Sequence, residues 1–260
     1  MSAPCYEVYA IKYAHHERSA SQNFLGGDPH DGPMPMDYFV WLVRGEGREV
    51  VVDTGFGAAA ALRRNRQLVR PVDKALALME VDATQVRDVV ITHLHYDHVG
   101  NFDLFPGATF HLQDLEMQYA TGRSMGHEPL RHAFDVEDVV GMVRNVYAGR
   151  VRFHAGDAQL FPGLSVHLIG GHTMGLQAVR VATRRGAVVL ASDASHYYAN
   201  MEERRPFPIV YHVADMIEGW DRLRSLADSP EHVIPGHDPR VLERYPAPAK
   251  ALEGAVARLD

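Results

Sequence analysis

Short apolar runs recur along the chain and predict β-strands. Each run holds mostly Val, Ile, Leu, Ala or aromatic residues, and turn-forming residues usually bound it. The stretch "RGEGREVVVDTG" predicts a hairpin with its turn at Gly45-Glu46-Gly47. The predicted strands cover Tyr6–Tyr13, Tyr38–Val43, Glu49–Val52, Asp88–Ile91, Thr109–Leu112, Leu164–Ile169, Gln177–Thr183, Ala187–Ala191 and His232–Ile234.

Helical patterns lie between these runs. Apolar residues at Val72, Leu76 and Met79 recur at the spacing of one helix face. Asp135 stands where the N-cap of another helix is expected. The mixture of elements predicts an α/β fold with two β-sheets and helices outside them, as a single domain over residues 1–260. The predicted helices cover Val72–Glu80, Asp114–Tyr119, Asp135–Tyr147, Ala214–Ala227 and Ala247–Leu259.

Two segments lack any periodicity. Residues 15–36 are rich in Gly, Pro, His and Asp, and residues 202–212 read "EERRPFPIVYH". Long loops in a compact domain are usually functional or disordered. The apolar residues of these loops are candidate substrate contacts, and packing under the loops is the alternative. The candidates are Met34, Met36, Phe207 and Tyr211.

The net charge and the hydropathy of the chain limit the classes of partner that we expect it to bind. The chain has a formal net charge of −7 and only three lysines, which argues against nucleic acid or an anionic membrane as the main partner, although a local arginine patch stays compatible with it. Its apolar runs fall short of the ~20 residues that span a bilayer. The first residues, "MSAPCYEVYAIKYAHHERSA", do not have the pattern of a signal peptide. We therefore expect a cytoplasmic protein that acts on a small molecule, as a monomer or a homodimer.

Five apolar runs each lead into a histidine or an aspartate. These residues are His93 after "DVVIT", His172 after "LSVHLIGG", Asp193 after "AVVLAS", His237 after "HVIPG" and Asp53 after "REVVV". Strands aim short loops at a shared edge of a sheet, where sites are commonly built. Five such endings in metal-ligand residue types predict one convergent cluster.

The spacing of the ligands divides the cluster between two metals. His93 and His95 are two positions apart, so their side chains point the same way if the segment is extended. Asp97 and His98 are adjacent and should diverge, so one loop can supply two neighbouring metals. Ligation by nitrogen and oxygen alone suits a pair of catalytic zinc ions. The predicted sets are His93, His95 and His172 for one metal, Asp97, His98 and His237 for the other, and Asp193 as a bridge.

The combined motifs resemble the metallo-β-lactamase superfamily. The resemblance is carried by "VVVDTG" at 50–55, "THLHYDHVGN" at 92–101, "GGHTMG" at 170–175, "SDA" at 192–194 and "PGHD" at 235–238. It implies an αβ/βα four-layer sandwich with a two-metal site between the sheets. Within the superfamily the chain looks most like the quorum-quenching N-acyl-homoserine lactone lactonases, which implies two zinc ions, the same ligand sets and a lactone substrate. Asp53 would orient the ligand loop; a turn before Gly55 explains this aspartate equally well.

The chain departs from the lactonase pattern at two places. Leu176 replaces a second histidine in "GGHTMGLQ", at a position that does not bind metal. The lactonases carry a tyrosine three residues after the bridging aspartate, where it touches the substrate carbonyl. This chain reads "DASHYY", so His196 falls at that position and Tyr197 follows. Either residue is a candidate donor to the carbonyl oxygen, and an ordinary loop role is the alternative for both.

A two-zinc site of this kind fits the hydrolysis of esters. Two metals ~3.5–4 Å apart lower the pKa of a shared water toward ~7, and the resulting bridging hydroxide would attack the carbonyl of a cyclic ester. Asp97 would pass a proton to the leaving alkoxide.

Three other functions stay open. The first is a thioester hydrolase of the glyoxalase II type, for which the chain lacks a Lys-rich C-terminal region to anchor glutathione. The second is a redox enzyme. A persulfide dioxygenase, which binds one iron, can be excluded only by metal analysis. A flavodiiron-like protein would carry glutamate in place of His95, which counts against it. The third is a binding module without catalysis, which the complete ligand set disfavours.

Overall fold

The structure is a computed structural model that describes residues 4–260. Its strands form two sheets. The strands are β1 (Glu7–His16), β2 (Met36–Gly45), β3 (Arg48–Val52), β4 (Gln67–Leu68), β5 (Asp88–Val90), β6 (Thr109–Gln113), β7 (Val151–His154), β8 (Ala158–Phe161), β9 (Leu164–Leu168), β10 (Gln177–Thr183), β11 (Gly186–Ser192), β12 (Val233–Pro235) and β13 (Val256–Arg258).

Helices connect these strands, with short 3-10 turns between them. The 3-10 turns cover Ala20–Gln22, Ala83–Gln85, Phe102–Leu104, Arg123–Gly126, Pro230–His232 and Lys250–Leu252. The helices are α1 (Ala58–Arg63), α2 (Val72–Ala77), α3 (Tyr96–Val99), α4 (Asp114–Ala120), α5 (Glu128–Arg131), α6 (Val136–Tyr147), α7 (Tyr198–Glu202), α8 (Val213–Leu226) and α9 (Arg240–Arg244). Among the described helices, none has both the length and the apolar character to cross a membrane.

Both sheets are mixed. The first has the order β13-β1-β2-β3-β5-β6-β7, with β4 paired to β1, and its strands β3, β5, β6 and β7 run parallel. The second has the order β12-β11-β10-β9-β8. There β10 is antiparallel to β9 and β11, while β11 is parallel to β12, so β9, β11 and β12 all run the same way.

Side-chain alternation along β1 builds a core on each face of the first sheet. Val8 and Ala10 are buried in an apolar cluster that also holds Val179 of the second sheet. Ile11 is buried in a different cluster, with Leu76 of α2. Because successive strand residues point to opposite faces, one strand packs against the other sheet and against the helices at once. The layers therefore follow the order helix, sheet, sheet, helix, with α8 outside the second sheet.

This architecture confirms the predicted αβ/βα sandwich, and each of the nine predicted strands is present within three residues at either end. The predicted hairpin is also confirmed, because Gly45 pairs with Arg48 and both Glu46 and Gly47 have positive φ. That conformation matches the twist of the flanking strands. That the whole chain forms one domain stays a prediction.

The prediction of a helix over Ala247–Leu259 is wrong. This segment contains a 3-10 turn at Lys250–Leu252 and then β13, which pairs antiparallel with β1. Its apolar spacing fits a helix, but Gly254, at a φ of 73°, ends the turn. The chain then satisfies the open backbone groups of the edge of β1. The open edge of a strand is a tertiary feature, so the periodicity of the local sequence does not reveal it.

Candidate metal centre

The ligand motif folds into two halves with different conformations. β5 ends at Val90, and His95, directly before the next helix, has an extended backbone with a ψ of 152°. Helix α3 then begins at Tyr96 and carries Asp97 and His98. This change from extended chain to helix turns the second half of the motif away from the first, as the sequence spacing predicts.

The first half of the motif meets the loop after β9. The Nε2 atom of His172 lies 3.2 Å from Nε2 of His93 and 2.9 Å from Nδ1 of His95. Gly171, just before His172, has a φ of 81°, and a Cβ there would lie 2.5 Å from the backbone of Met216. Only glycine fits this close approach, which aims His172 at the other two histidines.

The second half meets the loop after β12. Oδ2 of Asp97 lies 3.6 Å from Nε2 of His98 and 3.7 Å from Nε2 of His237. Asp97, His98 and His237 therefore form a second group whose ligand atoms lie within 4.8 Å of one another.

Asp193 stands between the two groups. Its Oδ2 is 3.4 Å from Nε2 of His172, while its Oδ1 is 3.0 Å from Nε2 of His237. Each carboxylate oxygen thus faces a different group. All seven predicted ligands lie in this one buried cluster, in the segments that follow the C-terminal ends of four strands.

Hydrogen bonds at the outer side of three rings set their orientation. Nδ1 of His98 lies 2.7 Å from Asp53, Nδ1 of His172 lies 2.7 Å from the carbonyl of Ile209, and Nδ1 of His237 lies 2.9 Å from the carbonyl of Asp37. An acceptor at Nδ1 places the proton there and leaves the lone pair of Nε2 facing the cluster.

Asp53 lies in a turn and also contacts the ligand motif, as the two interpretations of the sequence allow. It has a φ of 61° in the turn before Gly55, and its carboxylate also reaches the ligand motif. There it accepts hydrogen bonds from the backbone N–H of Thr92 at 2.7 Å and from the Thr92 hydroxyl at 2.8 Å. The carboxylate therefore ties the start of the motif to His98.

The electrostatics of the cluster fit divalent cations. Burial, reinforced by the neighbouring histidines, holds the pKa of His93 and His95 well below the ordinary range, which keeps both rings in the neutral, ligating form. Burial also opposes charge on His98, yet Asp193 and Asp97 raise the pKa of His98 well above its ordinary value. That end of the cluster therefore attracts positive charge.

Two buried atoms of the cluster also lack a hydrogen-bond partner within the described protein. They are Nε2 of His98 and Oδ1 of Asp193, which face each other at 3.4 Å. Buried polar atoms are rarely left unsatisfied. A nitrogen and oxygen donor set with such orphaned atoms fits a pair of divalent metals of the zinc type.

A narrow cavity of ≈ 60 Å³ opens onto the cluster. Of the four predicted substrate contacts, Met36 lines it. Met34 packs against the core on the helix side of the first sheet, and Phe207 is buried. Tyr211 is half-exposed and packs edge-on against Tyr119, with ring centroids 4.9 Å apart.

The two candidate carbonyl donors point in different directions. His196 lines the cavity, and its Nε2 lies 2.9 Å from Oδ2 of Asp193. Phe207 stacks on the His196 ring with centroids 3.6 Å apart, which fixes the ring plane. The hydroxyl of Tyr197 lies instead 3.3 Å from the carbonyls of both Met34 and Pro35.

Sequence reasoning missed Glu116, which links two ligand loops. This fully buried carboxylate accepts hydrogen bonds from Leu94 N at 2.9 Å, the Thr173 hydroxyl at 2.6 Å and Gly175 N at 3.1 Å. Leu94 lies between His93 and His95, and Thr173 follows His172. Burial raises the pKa of Glu116 to about 7. Its position on α4 resembles a solvent-facing helix residue, so no local signal identifies it.

The cavity wall also holds polar residues that the sequence did not single out. Tyr38 and Tyr96 line it, with their hydroxyl oxygens 3.5 Å apart. Three arginines, at positions 18, 64 and 66, line it as well. Tyr96 lies inside the ligand motif, so its place near the site could have been inferred from the sequence. The arginines belong to a loop and a short connection that carry no motif.

Two facing sheets with outer helices and a buried His/Asp cluster at their strand ends define a metal-binding αβ/βα sandwich. A family model described as the metallo-beta-lactamase superfamily matches residues 34–237. The chain belongs to that superfamily.

Individual relatives share less of the chain. The N-acyl homoserine lactonase AttM of Rhizobium johnstonii is 30% identical over 65% of this chain, and that of Azorhizobium caulinodans is 29% identical over 61%. The matches span 64% and 60% of those relatives, less than two thirds of their length. A solved N-acyl homoserine lactone hydrolase, with N-hexanoyl-L-homoserine at its catalytic metal centre, is similar at a TM-score of 0.74 and 19% identity, over 91% of this chain and 94% of that one.

Proposed function

We propose that the protein is a two-zinc hydrolase that opens the ring of a lactone. The observation that carries the proposal is the position of Asp193, whose two oxygens face two separate groups of ligand atoms. One carboxylate that reaches both groups is what a pair of metals that share a bridging ligand requires. A site for a single metal needs no second group.

The metals would supply a low-pKa water as the nucleophile and a Lewis acid for the carbonyl. His93, His95 and His172 would hold one metal, and Asp97, His98 and His237 the other. Asp97 also lines the cavity, and its carboxylate would carry a proton to the leaving alkoxide. Because a lactone is cyclic, that alkoxide stays attached to the product.

His196 is the residue that we propose to meet the substrate carbonyl. It lines the cavity and occupies the position where the lactonases carry a tyrosine. Its stacking on Phe207 fixes the ring plane, and its Nε2–H, which lies 2.9 Å from Oδ2 of Asp193, would be shared with the developing oxyanion. Met36 would contact the apolar part of the ring.

The choice of a lactone rests on kinship with named lactonases at about 30% identity. A thioester hydrolase of the glyoxalase II type is the second candidate, and one observation favours it. That enzyme type needs basic groups to hold glutathione, and the cavity wall provides arginines. A persulfide dioxygenase differs in its metal, a single iron, which the metal content distinguishes.

The deciding experiment is a proton-release assay over a panel of lactones, glutathione thioesters and β-lactams. We expect turnover of at least one lactone by the zinc-loaded protein. Asp193→Ala should abolish turnover and reduce metal content, while Asp157→Ala should change neither. Asp157 is the matched control because its carboxylate bonds only His167, Arg222 and the nearby backbone in the described structure. Turnover of glutathione thioesters without any lactone would overturn the choice of substrate.

A further inference from the structure

Two arginines of the cavity wall have no carboxylate partner. Arg64 pairs with Asp135 at 2.7 Å, so its charge is compensated. Arg18 and Arg66 line the same cavity, and within residues 4–260 neither has a carboxylate oxygen within 4.0 Å. The chain carries a net charge of −7, so these two positive groups beside the site do not reflect a general excess of basic residues.

Arg66 is held firmly by neutral groups. Its Nε donates to the Tyr96 hydroxyl at 3.1 Å, and its Nη1 lies 3.1 Å from Nε2 of His16. Burial together with Arg66 and Arg18 lowers the pKa of His16 to about 4, so His16 is neutral and accepts this bond. The guanidinium is thus oriented without being neutralised.

Arg18 reaches the cavity from the irregular segment between β1 and β2. Its Nη2 donates to the carbonyl of Gln22 at 2.6 Å, and its Nη1 lies 3.9 Å from Sδ of Met36. A guanidinium has five N–H donors. The contacts described for Arg18 and Arg66 leave donors on both residues for a ligand in the cavity.

The charges of the site itself do not balance these arginines. Asp97 and Asp193 are the carboxylates on the described cavity wall, and both belong to the proposed metal ligands. Two divalent cations would be offset by these two carboxylates, by the buried Asp53 carboxylate beside His98 and by the hydroxide that the proposed reaction requires. The positive charges of the two arginines therefore stay unbalanced, and a substrate with an anionic group would neutralise them.

We propose that the substrate is a small lactone that carries a carboxylate, and that Arg18 and Arg66 bind this carboxylate while the ester faces the metals. This proposal rests on the proposed function. A guanidinium fork matches the planar geometry of a carboxylate and gives a charge-assisted bond.

The test compares two five-membered lactones that differ in one group, a ring carboxylate in one and a carboxamide in the other. We expect the wild-type protein to prefer the carboxylate. Arg18→Gln with Arg66→Gln should lower kcat/KM for the carboxylate about 10- to 100-fold, mainly through KM. Turnover of the carboxamide should stay within a few-fold. Arg18→Lys with Arg66→Lys should restore part of the preference, because the charge remains.

Arg184→Gln is the matched control for the loss of one positive charge. Arg184 lies in the turn between β10 and β11, at the opposite end of β11 from Asp193. The seven residues of β11 place it roughly 20 Å away. We expect no change in the preference. Equal turnover of both lactones by the wild type, or an equal loss for both in the double Gln variant, would overturn the proposal.

A binding measurement separates this proposal from the proposed function. Calorimetric titration with the ring-opened hydroxy acid of each lactone requires no catalysis. Tighter binding of the dicarboxylate by the wild type, lost in the double Gln variant, would support the anion site even if neither lactone were hydrolysed. Equal binding of both acids would refute the anion site whatever the enzyme hydrolyses. If the protein turns over an S-acylglutathione, which also carries carboxylates, the substrate of the same site is a thioester.

Discussion

Oδ2 of Asp53 lies 2.7 Å from Nδ1 of His98, and both groups are fully buried. The two residues are 45 positions apart in the chain and meet because β3 and β5 are parallel neighbours. The contact fixes which nitrogen of His98 faces Asp97 and Asp193. It also fixes the ring plane, so a residue outside the predicted ligand set orients one ligand of a proposed metal.

Asp53→Asn should lower metal affinity about 10- to 100-fold while the fold is kept. The amide removes the charge that orients His98, and asparagine tolerates the left-handed backbone at this position as aspartate does. Metal competition with a chromophoric chelator measures the affinity. Asp82→Asn is the control, because among residues 4–260 the exposed Asp82 carboxylate bonds only Thr84. Unchanged affinity in Asp53→Asn would mean that packing alone orients His98.

The protein should bind two zinc ions per chain, and their removal should destabilise it. Without cations, two carboxylates and five histidines remain buried in contact. Chelation should therefore lower Tm by roughly 10 °C, if each site binds far below the free metal concentration. Elemental analysis of protein purified without added metal checks the number. One iron per chain with no zinc would contradict the lactonase assignment and favour the dioxygenase.

His196→Ala should lower turnover by roughly 10²–10³ at full metal occupancy, and Tyr197→Phe should stay within a few-fold. The reason is orientation: His196 faces the cavity, whereas the Tyr197 hydroxyl faces the carbonyls of Met34 and Pro35. Steady-state kinetics with parallel metal analysis separates the roles. Loss of metal in His196→Ala would make His196 a ligand. If neither change matters, the metals alone stabilise the oxyanion.

Glu116→Gln should destabilise the metal-loaded protein by about 1–3 kcal/mol and weaken its metal binding. An amide has one acceptor oxygen, so it cannot satisfy Leu94, Thr173 and Gly175 together. Urea unfolding at saturating zinc measures the loss. Glu128→Gln, on the exposed face of α5, is the control. If unfolding is unchanged, the two ligand loops do not depend on this carboxylate.

The sequence by itself determined the strands that carry the site. Apolar runs made β1 and β2 recognisable, and the spacing of four ligand candidates within one motif was enough to predict two groups of ligands. These features are local, since strand pleating and helix rise act over a few positions.

Tertiary structure alone decided the partners of those residues. β13 pairs with the open edge of β1, and Glu116 matters because α4 lies beside two loops whose bonded residues, Leu94 and Thr173, are 22 and 57 positions away. Arg18 and Arg66 carry no motif and meet at the cavity through β1 and β4, whose pairing is set by contacts across the sheet. Such contacts depend on packing between segments that are distant in the chain, and no periodicity within a segment encodes them.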